Sequence, residues 1–274
     1  MSTPDDIRHL VRGGWNETAN TYGHDQPRLF QRFGDRLLEW MALAKRAVVL
    51  DVGAGTGILT VRAAEQVGER GYVVGADLSA GMLAVAREAS RAPGLARTDY
   101  AQMDAEHLGF PANVFDAVIC AFSLFQFVDM RKALAEMVRV LKPGGQVGLS
   151  NWWRGNFSPV GGLQRDLFRQ FGLRRLLTNS PTFELGALQA LLEEAGLAEV
   201  RLEAETVDVS FENPEAVWQY NVRMGPFAAM LRQQLSASQR EALHAQFVRM
   251  VGEIASPDGV RCTFHPLYAL ARKP

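Results

Sequence analysis

Three glycines on alternate positions follow an apolar run that ends on an acid. Val48 to Gly57 reads VVLDVGAGTG, with Gly53, Gly55 and Gly57 just after Asp51. Such a run is a buried strand that stops abruptly. The backbone then turns with no side chains in the way, and a helix can begin near Ile58. A ligand could lie directly on that backbone, so the chemistry indicated is recognition of a nucleotide-like molecule.

Three common ligand types use a turn of this kind. A phosphate-binding P-loop needs Lys-Ser/Thr after its last glycine, and here Ile58 and Leu59 follow instead. A dinucleotide fold prefers G-x-G-x-x-G, but this pattern is G-x-G-x-G and Ile58 stands where the third dinucleotide glycine would be. Asp51 is poorly placed beside a doubly charged pyrophosphate and well placed to attract an ammonium group. Asp77, ending the second predicted strand, can accept both hydroxyls of a ribose, which alone suits NAD and S-adenosylmethionine equally. Asp104, in QMDAEHL, can accept the exocyclic amine of adenine. A cationic, phosphate-free ligand with adenine, ribose and an amino-acid tail suits three acids and one glycine turn, and that ligand is S-adenosylmethionine.

The elements that must position these residues alternate regularly. Leu29, Phe30, Phe33, Leu37, Trp40 and Met41 recur at helical spacing over residues 28–41. Strands are expected at 47–51, 72–77, 97–102, 115–121 and 146–151. Helices fall between them at 58–67, 80–90 (Ser79 as N-cap) and 131–141. The Pro93-Gly94 pair closes one unit, and Lys142 to Gly145 (KPGG) reads as a helix stop and turn rather than a phosphate loop. This β-α-β-α-β rhythm predicts a parallel sheet covered on both faces. Beyond Asn151 the rhythm changes. Residues 152–180 read as an irregular or helical insertion, 183–195 as a helix closed by Gly196, and 199–211 as one strand. Two helices over 216–235 and 238–254 precede a last strand over 259–272, which returns to the sheet beside its predecessor as an antiparallel hairpin.

DVGAGTG, GADLSAGML, QMDAEHLGFPANVFDAVICAFSLFQFVD and ALAEMVRVLKPGGQV occur in that order. Together they resemble the class I S-adenosylmethionine-dependent methyltransferases, most closely the ubiquinone/menaquinone-biosynthesis-like group. The resemblance is strong over residues 15–153 and weaker over 183–200. It implies an α/β fold with a doubly wound, mostly parallel seven-stranded sheet, Rossmann-like, an N-terminal helical lid, and helical insertions in the C-terminal half. The implied segments are a lid at 1–42, a cofactor-binding core at 43–151, and acceptor-binding insertions with the last strands of the same sheet at 152–274. Carried over residue by residue, Gly53 and Gly55 pass under the methionine part near Asp51. Asp77 holds the ribose hydroxyls, Leu78 and Met82 pack on the adenine, Asp104 takes its amine, and Ala105 presents its backbone. Ala121 lies at the methionyl end, and Tyr22, in WNETANTYGHD, belongs to the segment that folds over the cofactor. One departure stands out: many relatives carry a His-His pair after the fourth strand, where this chain has Phe125 and Gln126.

A catalytic base is therefore not assigned. Tyr22, His24 and Gln126 are the weak candidates, with His24 reading more readily as an exposed lid histidine than as a base. Asp116 reads as structural, and Cys120 as a small buried hydrophobe. None of the five histidines pairs with another ligand at metal-binding spacing, so no metal is expected. A formal net charge of -1 with acids and bases intermixed gives no nucleic-acid face. The longest apolar stretch, around Ala117 to Leu124, is too short for membrane insertion. Two distant cysteines and no signal-peptide pattern suit a cytoplasmic protein. A homodimer stays open.

Acceptor walls are expected at 15–24, 122–127, 152–171 and 218–230. That aromatic- and Met-rich set suits a small, largely apolar acceptor such as a quinone, polyketide or other secondary metabolite. Arg154, Arg165, Arg174 and Arg175 instead suit an anionic acceptor or a solvated face. Two further readings use the same motifs: a cofactor-binding protein of this fold that catalyses a non-methylating rearrangement or cyclisation, and an NAD-dependent oxidoreductase.

Overall fold

The computed structural model describes residues 3–22, 27–91, 95–173, 183–223 and 227–274. His24, Arg174, Arg175, Met224 and the Pro93-Gly94 pair lie outside them. Five parallel strands form the centre: β1 (Val48–Val52), β2 (Tyr72–Asp77), β3 (Arg97–Gln102), β4 (Phe115–Ala121) and β5 (Leu141–Trp152). With β6 (Ala198–Ala204) and the C-terminal β9 (Pro266–Arg272) they make a seven-stranded sheet in the order β3-β2-β1-β4-β5-β9-β6. β9 inserts antiparallel between β5 and β6. The central strands are apolar at nearly every position because both faces are covered. Val49, Ala117 and Ile119 pack under α2 (Pro27–Met41) and α3 (Ile58–Val67). Leu50, Val118 and Cys120 point the other way, under α5 (Met130–Val140) and α7 (Leu185–Glu194). Between β2 and β3, α4 (Ala80–Ala89) is N-capped by Ser79, whose hydroxyl accepts from Met82 N. The chain enters through α1 (Pro4–Thr18), started by a capping box at Thr3 and Asp6.

The C-terminal half departs from expectation in four places. The single strand expected over 199–211 is two strands in different sheets: β6 joins the main sheet, while β7 (Val207–Phe211) pairs only with β8 (Val260–Phe264). The last strand is likewise divided, at His265. There the backbone N–H is taken by Asn156 Oδ1 at 3.0 Å and the carbonyl by Trp153 N at 2.8 Å, so the ladder of one sheet gives way to the other. Of the expected helix over 216–235, the described residues form α8 (Pro214–Arg223) and α9 (Phe227–Gln234). The third helix, α10 (Ala237–Gly252), starts at a second capping box, Ser236 and Gln239. Finally, β5 begins at Leu141 rather than after the KPGG turn. Leu141 pairs with Phe115 and Gln146 with Ala117, so the turn, with Gly144 at φ +76°, bulges out of a continuing strand. The insertion after β5 contains α6 (Val160–Gln170). These C-terminal elements close a core of their own around Phe157, Phe168, Trp218, Phe247 and Phe264.

Candidate active site

The glycine turn is held by its neighbours. Gly53 N and Ala54 N both donate to Ala76 O, at 2.8 and 3.1 Å, tying the end of β1 to the end of β2. Gly53 sits at φ +74°, and a Cβ there would lie 2.4 Å from Ser123 Oγ in the loop leaving β4. Ser123 Oγ donates back to Gly53 O at 3.2 Å. Gly55 differs: at φ +56° its Cβ would meet open space, on the wall of a cleft. That cleft, 1180 Å³ with its open mouth, lies at the C-terminal ends of β1, β2 and β4, the place where open α/β sheets bind ligands.

Three acids line it in series. Asp51 is 2 % exposed and takes a hydrogen bond from Thr60 Oγ1 at 2.7 Å. Burial pushes its carboxyl up to about 7. Asp77 is cradled by backbone: Gly55 N donates to Oδ2 at 2.9 Å and Ser79 N to Oδ1 at 2.8 Å. Burial raises its pKa while these backbone bonds oppose the rise. Asp104 accepts from Glu106 N at 2.9 Å, and its other oxygen lies 3.1 Å from Arg8 Nε. Leu78, Met82, Ala105 and Ala121 line the same cleft, as do Tyr22 and Gln126. Every described residue singled out in the sequence for cofactor or catalysis therefore faces one space.

Helix α1 forms its outer wall. Arg8, Val11 and Trp15, at helical spacing on one face, all line the cleft. Trp15 Nε1 donates to Gln126 Oε1 at 2.8 Å, and Gln126 Nε2 donates to Phe122 O at 3.2 Å. Asn16 Oδ1 accepts from Ser79 Oγ at 2.7 Å and from Gly81 N at 2.9 Å, so α1 caps the first turn of α4. Tyr22 follows the helix, its ring edge-on to Trp15 at 5.4 Å. Burial and the nearby Asp77 push its phenol up to about 12, so at neutral pH Tyr22 keeps its proton and does not act as a base. Gln126 has no titratable proton and its carboxamide is occupied. Arg8 and Glu106 were not legible as site residues, because nothing local links them to the glycine turn; Asn16 and Ser123 fall in stretches expected as acceptor walls but reach α4 and Gly53 instead.

At the end of the cleft beside Ala121 the wall is aromatic. Phe30 and Phe122 line the cleft beside Tyr22. Phe122 sits at φ +50°, with its N–H on Ser150 O at 2.8 Å and its ring 4.4 Å from Trp152. A left-handed backbone at a bulky residue is costly and clusters at functional sites. The expected acceptor walls at 152–171 and 218–230 stand behind this aromatic surface rather than on it. Trp152, Phe157, Phe168 and Trp218 do not line the cleft; they are buried in the C-terminal core. Arg154 pairs with Glu184 at 3.3 Å on the surface, and neither it nor Arg165 lines the cleft. Asp116 is structural, accepting from Val48 N at 2.8 Å and from Lys142 Nζ at 2.7 Å, and Cys120 is wholly buried. Among the described residues no three His, Cys, Asp or Glu side chains converge as a metal site, and no helix is long and apolar enough to cross a membrane.

A family model described as a methyltransferase domain matches residues 49–145. A ubiquinone/menaquinone biosynthesis C-methyltransferase from Erwinia tasmaniensis is 35% identical over 156 residues, covering 57% of this chain and 61% of that protein. The chain thus matches about three fifths of the length of such relatives. Among solved structures, a putative methyltransferase from Bacillus halodurans superposes with a TM-score of 0.61 at 23% identity, covering 88% of this chain and 98% of the other. Haemonchus contortus phosphoethanolamine N-methyltransferase 2, solved with phosphomonomethylethanolamine and S-adenosylhomocysteine, gives 0.55 at 22% identity, covering 88% and 52%. At these identities the structural likenesses establish the fold: a Rossmann-like methyltransferase sheet with its antiparallel last strand.

Proposed function

We infer that this chain, whose residues 49–145 are a methyltransferase domain, transfers the methyl group of S-adenosylmethionine to a small, largely apolar acceptor such as a quinone, polyketide or other secondary metabolite. One observation carries the reading. Asp51, Asp77 and Asp104 stand in series along one cleft, and the glycine between the first two leaves its Cβ position open. The residues fit the cofactor. Buried Asp51 offers a carboxylate to the ammonium group, which would hold it ionised. Asp77, fixed by two backbone N–H groups, has lone pairs left for the ribose hydroxyls. Asp104 takes the adenine amine, with Leu78 and Met82 against the ring.

When bound, the cofactor supplies an electrophilic methyl carbon on a sulfonium; the acceptor's electron pair takes it, the carbon–sulfur bond breaks, and a neutral thioether leaves. The chain aligns the acceptor and excludes water. Tyr22, Phe30 and Phe122 give that end its apolar surface. Gln126, held by Trp15 and Phe122 O, orients rather than deprotonates. Within this reading, residues 1–42 form the lid and 43–151 the cofactor core. Residues 152–274, which back the aromatic end of the cleft where Trp152 packs on Phe122, form the acceptor side, and within them β7 and β8 make a sheet of their own. The mixed surface charge and two free buried thiols favour a cytoplasmic enzyme acting on a small molecule rather than on nucleic acid. The domain match and the curated relative favour methyl transfer over the rearrangement and oxidoreductase readings.

The test is calorimetric binding of S-adenosylhomocysteine, followed by mass-spectrometric detection of label transferred from methyl-labelled cofactor to quinol-type acceptors. Asp77→Ala is expected to weaken binding by about 1–3 kcal/mol through lost hydrogen bonds to a charged group. Unchanged affinity in that variant would sink the cofactor assignment.

A further inference from the structure

Arg8 stands out in the cleft as a cation among acids. Its guanidinium spans two of them: Nη2 is paired with Glu106 Oε2, and Nε lies 3.1 Å from Asp104 Oδ2. Glu106 is 2 % exposed, and its other oxygen accepts from Asp129 N at 3.0 Å. A buried carboxylate needs a counter-charge, and among the described residues Arg8 is the one cation paired with it. The Nε–H of Arg8 is itself buried and makes no hydrogen bond; its approach to Asp104 has ion-pair distance but not hydrogen-bond direction. One N–H donor and one carboxylate with spare lone pairs thus stand side by side at the end of the cleft. The 6-amino edge of adenine has the complementary pattern, an N–H donor flanked by ring-nitrogen acceptors.

We propose that Arg8 is a specificity-determining residue for the base of the cofactor: it fixes Asp104 and Glu106 and offers its free Nε–H to a ring nitrogen beside the amine that Asp104 accepts. This rests on the S-adenosylmethionine reading of the cleft. Because Arg8 sits on α1, recognition of the base is also what fastens that helix down. The same helix face carries Trp15 to Gln126, and the adjacent Asn16 reaches Ser79 and Gly81. Replacing the amine by an oxo group sets an acceptor against the Asp104 carboxylate, so a correctly held Asp104 rejects hypoxanthine strongly. Released from Arg8, the same carboxylate can swing away and reject it poorly.

The experiment compares S-adenosylhomocysteine with S-inosylhomocysteine by calorimetry on the wild-type chain, Arg8→Gln, Arg8→Lys and Arg8→Gln/Glu106→Gln. The wild type is expected to prefer the adenosyl ligand by about 100-fold or more, since a carboxylate facing an unpaired acceptor is heavily penalised. In Arg8→Gln and in the double variant, that preference falls to within about 10-fold. Arg8→Lys keeps a counter-charge for Glu106 but lacks the planar fork; it is expected to fold like the wild type and still lose most of the preference. It carries the test if Arg8→Gln fails to fold. A merely structural role for Arg8 would weaken both ligands equally and leave the ratio intact, and that result would overturn the proposal alone. A wild-type chain that binds neither ligand would overturn the cofactor reading and the proposal with it.

Discussion

Asp51 is the residue on which charge, burial and ligand meet. Its carboxyl is pushed up to about 7 because burial, together with the nearby Asp77, outweighs the Thr60 hydroxyl and backbone N–H that stabilise its charge. The folded pKa stands above the unfolded one, so this group's contribution to stability is fully present below about pH 4. It is lost as pH rises through about 7. A shift of that size corresponds to a few kcal/mol, on the order of 4. Asp51→Asn should therefore abolish most of the decline in ligand-free stability between pH 4 and 8; urea midpoints at several pH values would show it, and parallel curves for the two proteins would refute it. Ligand binding should run oppositely. An ammonium group prefers the ionised carboxylate, so affinity for S-adenosylhomocysteine should fall as pH drops below about 7, by up to about tenfold per unit. Asp51→Asn should bind weakly with a flat profile. The two glycines beside it separate fold from function. Gly53→Ala puts a methyl 2.4 Å from Ser123 Oγ and should lower the Tm. Gly55→Val points into the cleft and carries mainly the backbone strain of φ +56°, about 1–2 kcal/mol. It should leave a folded chain that no longer binds, which thermal melts and calorimetry together would reveal.

At the scale of elements, α1 makes its strongest claim through Asn16. Gly81 N is an unpaired donor in the first turn of α4, and Asn16 Oδ1, from a helix 65 residues away, supplies the acceptor. Losing an N-terminal capping oxygen costs about 1 kcal/mol, so Asn16→Ala should lose about that much in chemical denaturation and should speed amide exchange in both α1 and the start of α4. A change confined to α1 would mean that it docks without stabilising its partner. Such cross-helix contacts are also where sequence reading ran out. Helix α3 and strands β2, β3 and β4 carry the bounds that their hydrophobic periods predict, because a strand buried on both faces or a helix stripe is a local signal. Asp51, Asp77 and Asp104 were legible for the same reason: each ends or follows a readable strand. The division of 199–211 into β6 and β7 was not legible. It is decided by β8 and β9, some fifty residues later, which draw the two halves into different sheets. Arg8 escaped notice likewise, as did the contacts that Asn16 and Ser123 make, since these exist only once α1 and the β4 loop have been brought to α4 and the glycine turn.

At the scale of the whole molecule, a ligand in this cleft touches the N-terminal helix, four strand ends and the aromatic surface that backs onto the C-terminal core. α1 is tied to that last layer as well, through the ion pair of Glu17 with Arg232 on α9. That pair is half exposed and contributes little by itself, so the main cross-link between the lid and the sheet is the set of contacts lining the cleft. Filling the cleft should therefore stabilise the chain cooperatively rather than loosen one layer at a time. Saturation at about 100 times Kd adds about 2.7 kcal/mol to the folded state. For a domain of this size that raises the Tm by roughly 5–10 °C. S-adenosylhomocysteine should produce that shift in a single sharpened transition, while NAD, whose pyrophosphate would have to lie between Asp51 and Asp77, should produce none. A shift with NAD alone would overturn the assignment at its root. A shift with S-adenosylhomocysteine confined to one of two separable transitions would mean that the cleft is coupled to only part of the fold, and that the C-terminal layer behind Phe122 does not register whether the cleft is filled.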